Sequence, residues 1–524
     1  MRTPSPLAIG GAIAVAITVV AAGWAARSCG TVAPAPGPGE RLYRAGVLPS
    51  GAPARATVMG DVPMEGAQVA CASCHGWSGM GTGEAGRRTP PVAGPLLFAP
   101  EPRSGRPAYD DATVARALLH GIDATGAPLD PLMPRYALGD TEVEALVAYL
   151  RQLGAAPSPG VEPEVLHLAT VIAGDVLAAE RDAVLEVLGA FVEAKNADVR
   201  READRAKARR EDGRALEPYR RWELHPYLLP GDGSSWDAAL QQQYDAQPAF
   251  AVVGGVAAGG WGPIHTFCER NAVPCLLPST DQPPPVGSDR YSLYFSGGLA
   301  VEGAAAAAAF PPGTAVQLVL RGDDRAAELA AAFTATWTAR GGVETTIAVS
   351  GPSDPAVVEA LGGPADLVAV WLADPGALPA VERGPTLVLS GTLTDRRWDG
   401  LPAALRPRTR AVDRFRAPDE PDPARTRFRA WAAAHQLAVA DSDALARLQA
   451  QTWFACVALL DASGHVARYP QREYLLDTLD HAAGLSAFVP VYPRASFGPG
   501  QRLLSKGANL LDLSGDSAPT WTVP

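Results

Sequence analysis

The pentapeptide Cys71-Ala72-Ser73-Cys74-His75 decides the fold of the first part of this 524-residue chain. Two thiols separated by two residues can reach the two vinyl groups of one porphyrin, and the adjacent imidazole then lies under the iron as an axial ligand. A site that holds only a metal ion does not need a histidine at this position. The spacing therefore predicts one covalently attached haem c, tethered by Cys71 and Cys74, with His75 as the proximal ligand of the iron.

The second axial ligand is sought among five methionines, because a low-spin electron carrier often completes its iron with a methionine sulfur. Met133 is the candidate, since it lies in a loop far along the chain from His75 and the next residue, Pro134, fixes the local backbone. His120, at the end of a helix-like run, is the rival ligand. A backbone carbonyl of residues 90–91 is expected to accept the Nδ1 proton of the proximal histidine.

The signals around these ligands are helical. Asp140 is expected to cap a closing helix in which apolar residues recur at helical spacing from Val143 to Leu150. The stretch from about Gly39 to Leu153 resembles a class I cytochrome c domain, which implies a small all-α fold. It differs from the small soluble carriers by extra sequence ahead of the haem motif, including Pro49 to Met59.

The composition places this region inside a larger, exported protein. A chain with 47% hydrophobic and 19% charged residues is long enough for two or three globular cores. Its net charge of -11 argues against nucleic acid as a partner, because phosphate binding needs concentrated Lys and Arg. The apolar run Leu7 to Ala26 predicts that residues 1–30 are a signal peptide or an uncleaved membrane anchor, followed by a Pro/Gly-rich linker over residues 31–38. A periplasmic location follows.

Two further cysteines, Cys268 and Cys275, lie where a helix is expected to turn into a strand. In an oxidising compartment we expect a local disulfide between them, and the alternative is a pair of small buried apolar side chains. Cys456 has helix-like apolar surroundings and is expected to be an inert core thiol.

The pattern changes after the predicted cytochrome-like domain of residues 39–155 and a linker over residues 156–163. A strand over 167–172 and a helix over 180–196 begin an alternation of the two patterns. Such alternation predicts parallel sheets with helices on both faces, and about 350 residues are too many for one such sheet. Residues 164–524 are therefore predicted to form two α/β lobes.

The glycine-containing strand Phe250-Ala-Val-Val-Gly-Gly-Val256 and the segments that follow it to Phe310 resemble the amino-terminal lobe of a type I periplasmic binding protein of the branched-chain amino-acid family. In that family the ligand lies in the cleft between the lobes, and the matching polar positions here are Ser279, Thr280 and Asp281. The matching first loop, residues 257–261, lacks the hydroxyl groups of amino-acid binders. Asp281 is expected to repel a ligand carboxylate, so the resemblance does not imply that this chain binds an amino acid.

The combination of the two regions is similar to fused proteins of quinoprotein alcohol-oxidation systems, through Leu132-Met-Pro-Arg-Tyr136 and Phe497-Gly-Pro-Gly-Gln-Arg502. This resemblance implies an exported electron carrier that accepts electrons from a quinoprotein alcohol dehydrogenase, with the second region as a ligand sensor or scaffold. The alternative is a solute-binding receptor for amino-acid-like small molecules, linked to an ABC transporter, in which the haem is accessory. A haem-based sensor with a labile sixth ligand is a third hypothesis. No hydrolase elbow, zinc-protease helix or phosphate loop occurs, so no enzymatic activity is expected.

Overall fold

The computed structural model describes six stretches of the chain, residues 36–84, 87–102, 104–209, 220–287, 289–515 and 517–524. Pro36 to Pro524 belong to one structural unit. The predicted signal peptide or anchor, residues 1–30, lies outside the described residues. Within the described stretches, no helix is both long enough and apolar enough to cross a membrane.

The helices and strands are numbered in chain order. The helices are α1 Pro38–Ala45, α2 Ala72–His75, α3 Gly94–Leu97, α4 Asp111–His120, α5 Asp140–Gln152, α6 Ala178–Arg209, α7 Gly233–Ala246, α8 Gly262–Arg270, α9 Gly298–Ala308, α10 Asp324–Ala339, α11 Pro355–Gly362, α12 Pro423–Ala434, α13 Asp443–Val466 and α14 Arg472–Asp480. The strands are β1 Arg55–Val58, β2 Val62–Glu65, β3 Gly83–Glu84, β4 Arg87–Arg88, β5 Arg135–Tyr136, β6 Val165–Ala173, β7 Arg221–Leu229, β8 Ala251–Val253, β9 Val256–Ala257, β10 Cys275–Leu276, β11 Ser292–Ser296, β12 Val316–Arg321, β13 Glu344–Val349, β14 Leu367–Trp371, β15 Thr386–Ser390, β16 Thr409–Asp413, β17 Leu503–Ser505, β18 Ala508–Asp512 and β19 Thr520–Thr522.

The amino-terminal region is organised by the packing of α1 against α5. Gly39 permits the close approach, because a Cβ at this position would overlap the carbonyl oxygen of Ala145. The predicted closing helix is α5, and the predicted apolar residues from Val143 to Leu150 are buried. Asp140 is its first residue and not its cap. The carboxylate of Glu142 instead accepts the backbone N–H of Gly139.

This region is not all-α, which corrects the predicted fold class. The strands β1 and β2 form an antiparallel hairpin, and β1 also pairs with β5 to give a three-stranded sheet. A short second hairpin joins β3 and β4. The extra sequence ahead of the haem motif contributes to the first hairpin, and β5 directly follows the loop that contains Met133. The insertion therefore supports the loop of the predicted second iron ligand.

Two α/β lobes follow, as predicted. The sheet of the first lobe has the order β17-β11-β10-β8-β6-β7, and its neighbouring strands are parallel. The sheet of the second lobe has the order β13-β12-β14-β15-β16-β18-β19, in which only β18 and β19 pair antiparallel with their neighbours. Each sheet has a buried apolar cluster on both faces. Helices therefore cover both faces of both sheets.

The chain passes between the lobes at several points. It leaves the first lobe after β11 and the second lobe after β16, and it crosses again between β17 and β18. The carboxyl ends of parallel strands from the two lobes therefore face a common cleft, which is where α/β sheets commonly place ligands.

Candidate haem and ligand sites

His75 is oriented by its contact with the loop that follows the haem motif. It ends α2, and only 6% of its surface is exposed. Its Nδ1 lies 2.9 Å from the carbonyl oxygen of Pro90. Because a carbonyl can only accept, Nδ1 carries the proton and the lone pair remains on Nε2. Burial lowers the pKa of the imidazole, which favours the neutral ring that binds a metal.

Gly81 allows the loop to return over His75. Its φ is +78°, and its N–H donates to the carbonyl oxygen of His75 at 2.9 Å. A Cβ at position 81 would overlap the carbonyl oxygen of Thr89, so the returning chain can pass this closely only because residue 81 is glycine. This close passage places the carbonyl group of Pro90 beside the imidazole.

The two cysteines of the motif differ in their surroundings. Cys71 is buried, and its Sγ lies 3.7 Å from the hydroxyl of Tyr136. That hydroxyl donates to the carbonyl oxygen of Val69 at 2.6 Å, which fixes its position. Burial raises the pKa of the Cys71 thiol to about 11. Cys74 is exposed, and both thiols are free.

Met133 lies in a loop that is held by one arginine. The guanidinium of Arg135 donates to the carbonyl oxygens of Met133, Leu129 and Asp130, the last two at 3.1 and 3.4 Å. A Cβ at Gly121 would overlap this guanidinium, so glycine at that position leaves room for it. Met133 itself is partly buried against the core of the amino-terminal region. Sequence reasoning identified the methionine and missed the arginine that positions its loop.

His120, the rival ligand, is exposed at the carboxyl end of α4. Its exposure agrees with a surface role and gives it less support than Met133 as an iron ligand.

The chemistry of these residues fits a haem. Nε2 of His75 has no hydrogen-bond partner among the residues described, and the two thiols are unpaired. Several apolar side chains that pack on the same core are only partly buried, namely Trp77, Phe98, Tyr109, Leu119, Met133 and Leu138. Such side chains can cover a macrocycle that makes further apolar contacts. Leu97 is buried. The centre of the Phe98 ring lies 4.0 Å from Cζ of the Arg151 guanidinium.

The loop after the haem motif contacts the first lobe through a buried carboxylate. Asp477 on α14 accepts the backbone N–H groups of Trp77 at 3.2 Å and of Ser78 at 2.9 Å. The guanidinium of Arg290 pairs with the same carboxylate and lies 4.4 Å from the centre of the Trp77 ring. Arg44, from α1, lies at the same distance from that ring. The haem motif is therefore joined to the α/β region by charge-assisted hydrogen bonds.

The predicted linker, residues 156–163, is also packed against the first lobe. The amide of Gln471 donates to the carbonyl oxygen of Ala156 at 3.3 Å, and the backbone N–H of Arg472 donates to the hydroxyl of Ser158 at 3.1 Å. Further bonds from the Arg472 guanidinium reach first-lobe carbonyl oxygens. These contacts give the connection between the two regions a defined conformation.

A cavity of 510 Å³ lies in the cleft between the lobes, and the three predicted positions Ser279, Thr280 and Asp281 all line it. The hydroxyl of Ser279 donates to the side-chain oxygen of Gln451 at 2.7 Å. The first loop contributes backbone and small side chains, as expected from its sequence. The predicted positions are therefore brought together at one cavity.

Asp281 is neutralised, which corrects the expectation that it would repel a carboxylate. Arg325 pairs with it at 2.8 Å, and Arg414, whose side chain is 2% exposed, pairs with its other oxygen. The cavity is also lined by Arg397 and by Arg447, whose guanidinium pairs with Asp395.

Arg397 differs from the other arginines of the cavity. Its guanidinium donates to the carbonyl oxygens of Thr394 and Ala373, both at 3.2 Å, and it has no acidic partner among the residues described. It therefore offers a positive charge to an anionic ligand. Sequence reasoning missed the arginines because they come from other elements and from the second lobe. Arg414 could have been noticed in the sequence, because it directly follows the buried strand β16 and the carboxyl ends of such strands commonly face a ligand.

A buried acid lies behind the cavity wall. Glu302 on α9 is fully buried and accepts the hydroxyls of Ser390 and Thr392 and the backbone N–H of Arg414. Burial, and then the neighbouring carboxylate of Asp413, raise the pKa of Glu302 to about 7. Its protonation state therefore changes near neutral pH, next to two residues that line the cavity.

The predicted disulfide is not formed in this structure. Cys268 on α8 and Cys275 on β10 are free, fully buried thiols, and they lie among apolar residues of the first lobe. The hydrogen bond that the Cys268 thiol donates to Cys275, together with burial, raises the pKa of the Cys268 thiol. Cys456 is a buried free thiol, as expected for a core residue.

Residues 64–154 match the family model Cytochrome c. The match includes the haem motif, Pro90, Met133 and helix α5. This part of the chain is a cytochrome c domain, and such a domain implies a haem cofactor and electron transfer. The prediction of a cytochrome c domain joined to a two-lobed α/β region is confirmed. Among curated proteins, none matches the chain.

Several solved structures are similar to about two thirds of this chain at low identity. A leucine-binding protein from Thermotoga maritima is 13% identical, with a TM-score of 0.46, over 68% of this chain and 99% of that chain. A branched-chain amino acid transporter substrate-binding protein from Streptococcus pneumoniae, solved with isoleucine, is 13% identical, with a TM-score of 0.45, over 69% and 100%. An ABC transporter substrate-binding protein from Aeropyrum pernix is 11% identical, with a TM-score of 0.48, over 69% and 96%.

Proposed function

We propose that this protein is an exported electron carrier with one haem c, attached through Cys71 and Cys74 and ligated by His75 and Met133. The observation that supports it best is the 2.9 Å contact between Nδ1 of His75 and the carbonyl oxygen of Pro90, which leaves Nε2 free for iron. In a C-x-x-C-H motif, this is the tautomer that a haem requires. When bound, the haem supplies a one-electron iron couple.

In this proposal the residues around the haem motif hold the iron ligands in place. Pro90 fixes the orientation of the imidazole, and Arg135 fixes the loop of Met133. A second, redox-active protein is therefore needed as electron donor, and we propose a periplasmic quinoprotein alcohol dehydrogenase. In this proposal the cytochrome domain spans residues 39–155, residues 156–163 connect it to the rest, and the binding-protein-like region spans residues 164–524.

The α/β region acts in this proposal as a scaffold or ligand sensor for the cytochrome. The buried carboxylate of Asp477 supports this role, because it binds the backbone two and three residues after His75. A second function, reception of a small solute for a transporter, is favoured by one observation. Arg397, which has no acidic partner within the described part of the chain, lines a cavity of 510 Å³. A small carboxylate would match that charge.

The experiment is to mature the full chain in a periplasm that contains haem-attachment machinery, and to measure its mass after denaturation. The proposal predicts one haem that stays attached in the wild type, a single thioether in Cys71→Ser or Cys74→Ser, and release of haem from the double variant. Cys456→Ser is the matched control, because that thiol is buried in the first lobe. A wild-type chain without attached haem would refute the proposal.

A further inference from the structure

Three side chains with metal-binding atoms meet on the edge of the first-lobe sheet, and none of them lines the cavity in the cleft. In the parallel pair of β6 and β7, His167 lies opposite Glu223, and Ala169 lies opposite His225. Residues two apart in a strand point to the same face, so Glu223 and His225 share the face of His167. One ligand atom from each of the three side chains lies within 4.8 Å of the others.

The three ligand atoms are close enough together to share one cation. Nδ1 of His167 lies 2.9 Å from Nε2 of His225, which in turn lies 3.9 Å from a carboxylate oxygen of Glu223. Two imidazole nitrogens this close cannot both direct lone pairs at each other unless a proton or a cation lies between them. The other carboxylate oxygen of Glu223 pairs with Arg221 at 2.9 Å, which leaves the first oxygen directed to His225.

A second carboxylate lies beside His167. A carboxylate oxygen of Glu162 lies 3.1 Å from Nε2 of His167, and this imidazole is only 7% exposed. A carboxylate at this distance favours a proton on Nε2, which leaves the lone pair of Nδ1 directed toward His225. A histidine that contacts a carboxylate through one nitrogen and a metal through the other is a recurrent arrangement in metal sites.

The site is open to solvent on one side. The side chains of His225 and Glu223 are 23% and 40% exposed, and β7 is an edge strand. A cation can therefore enter, and water can occupy a remaining position. Two imidazoles and one carboxylate suit a borderline transition metal, whereas Ca²⁺ and Mg²⁺ prefer oxygen ligands only.

We propose that His167, Glu223 and His225 bind one divalent transition-metal cation of the Zn²⁺ type, with Glu162 as the carboxylate that orients His167. The three ligands come from two paired strands, and Glu162 comes from the segment that connects the cytochrome domain to the first lobe. Occupation would therefore clamp the edge strand and this connection. The site does not depend on the proposed electron-transfer function.

The test is Zn²⁺ binding to the untagged, haem-loaded full chain, measured by calorimetry and by zinc-edge X-ray absorption, which iron does not obscure. We expect saturable binding of one Zn²⁺, with two imidazole nitrogens in its shell. His225→Ala should weaken binding at least about tenfold, and Glu162→Gln about tenfold through loss of the orienting carboxylate. His435→Ala, which removes an exposed histidine of the same lobe, should leave binding unchanged.

Glu223→Gln provides a second ligand variant if His225→Ala fails to fold. It keeps the size of the side chain and weakens metal binding on the proposal. Absence of saturable Zn²⁺ binding to the wild type would overturn the proposal. Equal affinity of the wild type and the ligand variants would also overturn it, because zinc would then bind elsewhere.

Discussion

The carboxylate of Asp477 accepts a 2.9 Å hydrogen bond from the backbone N–H of Ser78, three residues after His75 and 399 positions away in the chain. The same carboxylate pairs with Arg290, and both side chains are about nine-tenths buried. An event that moves α14 is therefore transmitted to the backbone beside the proposed iron ligand. This contact gives the two regions of the chain a physical route of communication.

Asp477→Asn tests this contact. The substitution keeps the shape but removes the nearer of the two carboxylates that pair with Arg290, the other being Asp480 at 3.6 Å. Breaking one side of a buried ion pair costs about 3 kcal/mol. We expect a loss of that order in the free energy of unfolding, measured by denaturant titration of the haem-loaded chain. Asp461→Asn, on the exposed face of α13, is the control. A change below about 0.5 kcal/mol in Asp477→Asn would argue against the contact.

Gly81→Ala tests how the orientation of His75 is set. The new Cβ would overlap the carbonyl oxygen of Thr89, and φ at this position is +78°. We expect displacement of the Pro90 carbonyl group and a larger high-spin fraction of the haem, measured by electron paramagnetic resonance. Gly105→Ala is a matched control, because its φ is +72° and nothing lies within 4 Å of the added Cβ. Identical spectra for Gly81→Ala and the wild type would contradict this role of the loop.

The pH dependence of stability tests the surroundings of Glu302. Its pKa is raised from 4.5 to about 7, chiefly by burial. Below pH 4.5 the acid is mostly protonated in both the folded and the unfolded chain, so burying it requires no desolvation of a charge. As pH rises toward 7, the unfolded chain releases the proton before the folded chain does, so the contribution of Glu302 to stability falls, by about 3 kcal/mol in all. Above about pH 7 the loss is complete.

Glu302→Gln should remove this dependence. The measurement is the difference in free energy of unfolding between the wild type and the variant from pH 5 to pH 8, which cancels the other titrating groups. The stability of the wild type should fall relative to the variant across this range. Glu359→Gln, an exposed acid on α11, should give a difference that is constant with pH. A constant difference for Glu302→Gln would show that its pKa is ordinary in the folded protein.

Arg397→Gln tests the ligand cavity. If the unpaired guanidinium receives an anion, a panel of small carboxylates should contain members that raise the melting temperature of the wild type, by the linkage of binding to folding. The same members should produce little or no rise in Arg397→Gln. Arg383→Gln, an exposed arginine outside the cavity, should behave as the wild type does. Equal rises in the wild type and Arg397→Gln would place the anion elsewhere.

Local patterns were sufficient to predict much of the fold. The helix α5 and the strand β6 were predictable because their apolar residues recur at the period of the element they form. The strand β7 was missed, since it contains Pro226 and follows a long charged segment. As an edge strand with one unpaired side, β7 tolerates a proline that an interior strand would exclude.

The candidate sites also divide into those that a local motif predicts and those that depend on contacts between distant elements. The haem motif was predicted because covalent attachment demands that spacing, and Met133 is predicted as the second iron ligand because this chain has only five methionines. Asp477 and Arg397 were not predicted, since each acts through a contact between elements that are distant in sequence. The insertion ahead of the haem motif was left without a structure, and its pairing with β5 arises from tertiary contacts that the local pattern does not encode.

The most direct test of the central claim is the optical spectrum of the haem-loaded full chain, oxidised and reduced, for the wild type and Met133→Ala. The account predicts a low-spin c-type spectrum for the wild type, with a methionine-to-iron charge-transfer band that disappears in the variant. His120→Ala should retain that band. A high-spin wild-type spectrum, or a band that persists in Met133→Ala, would contradict ligation by His75 and Met133.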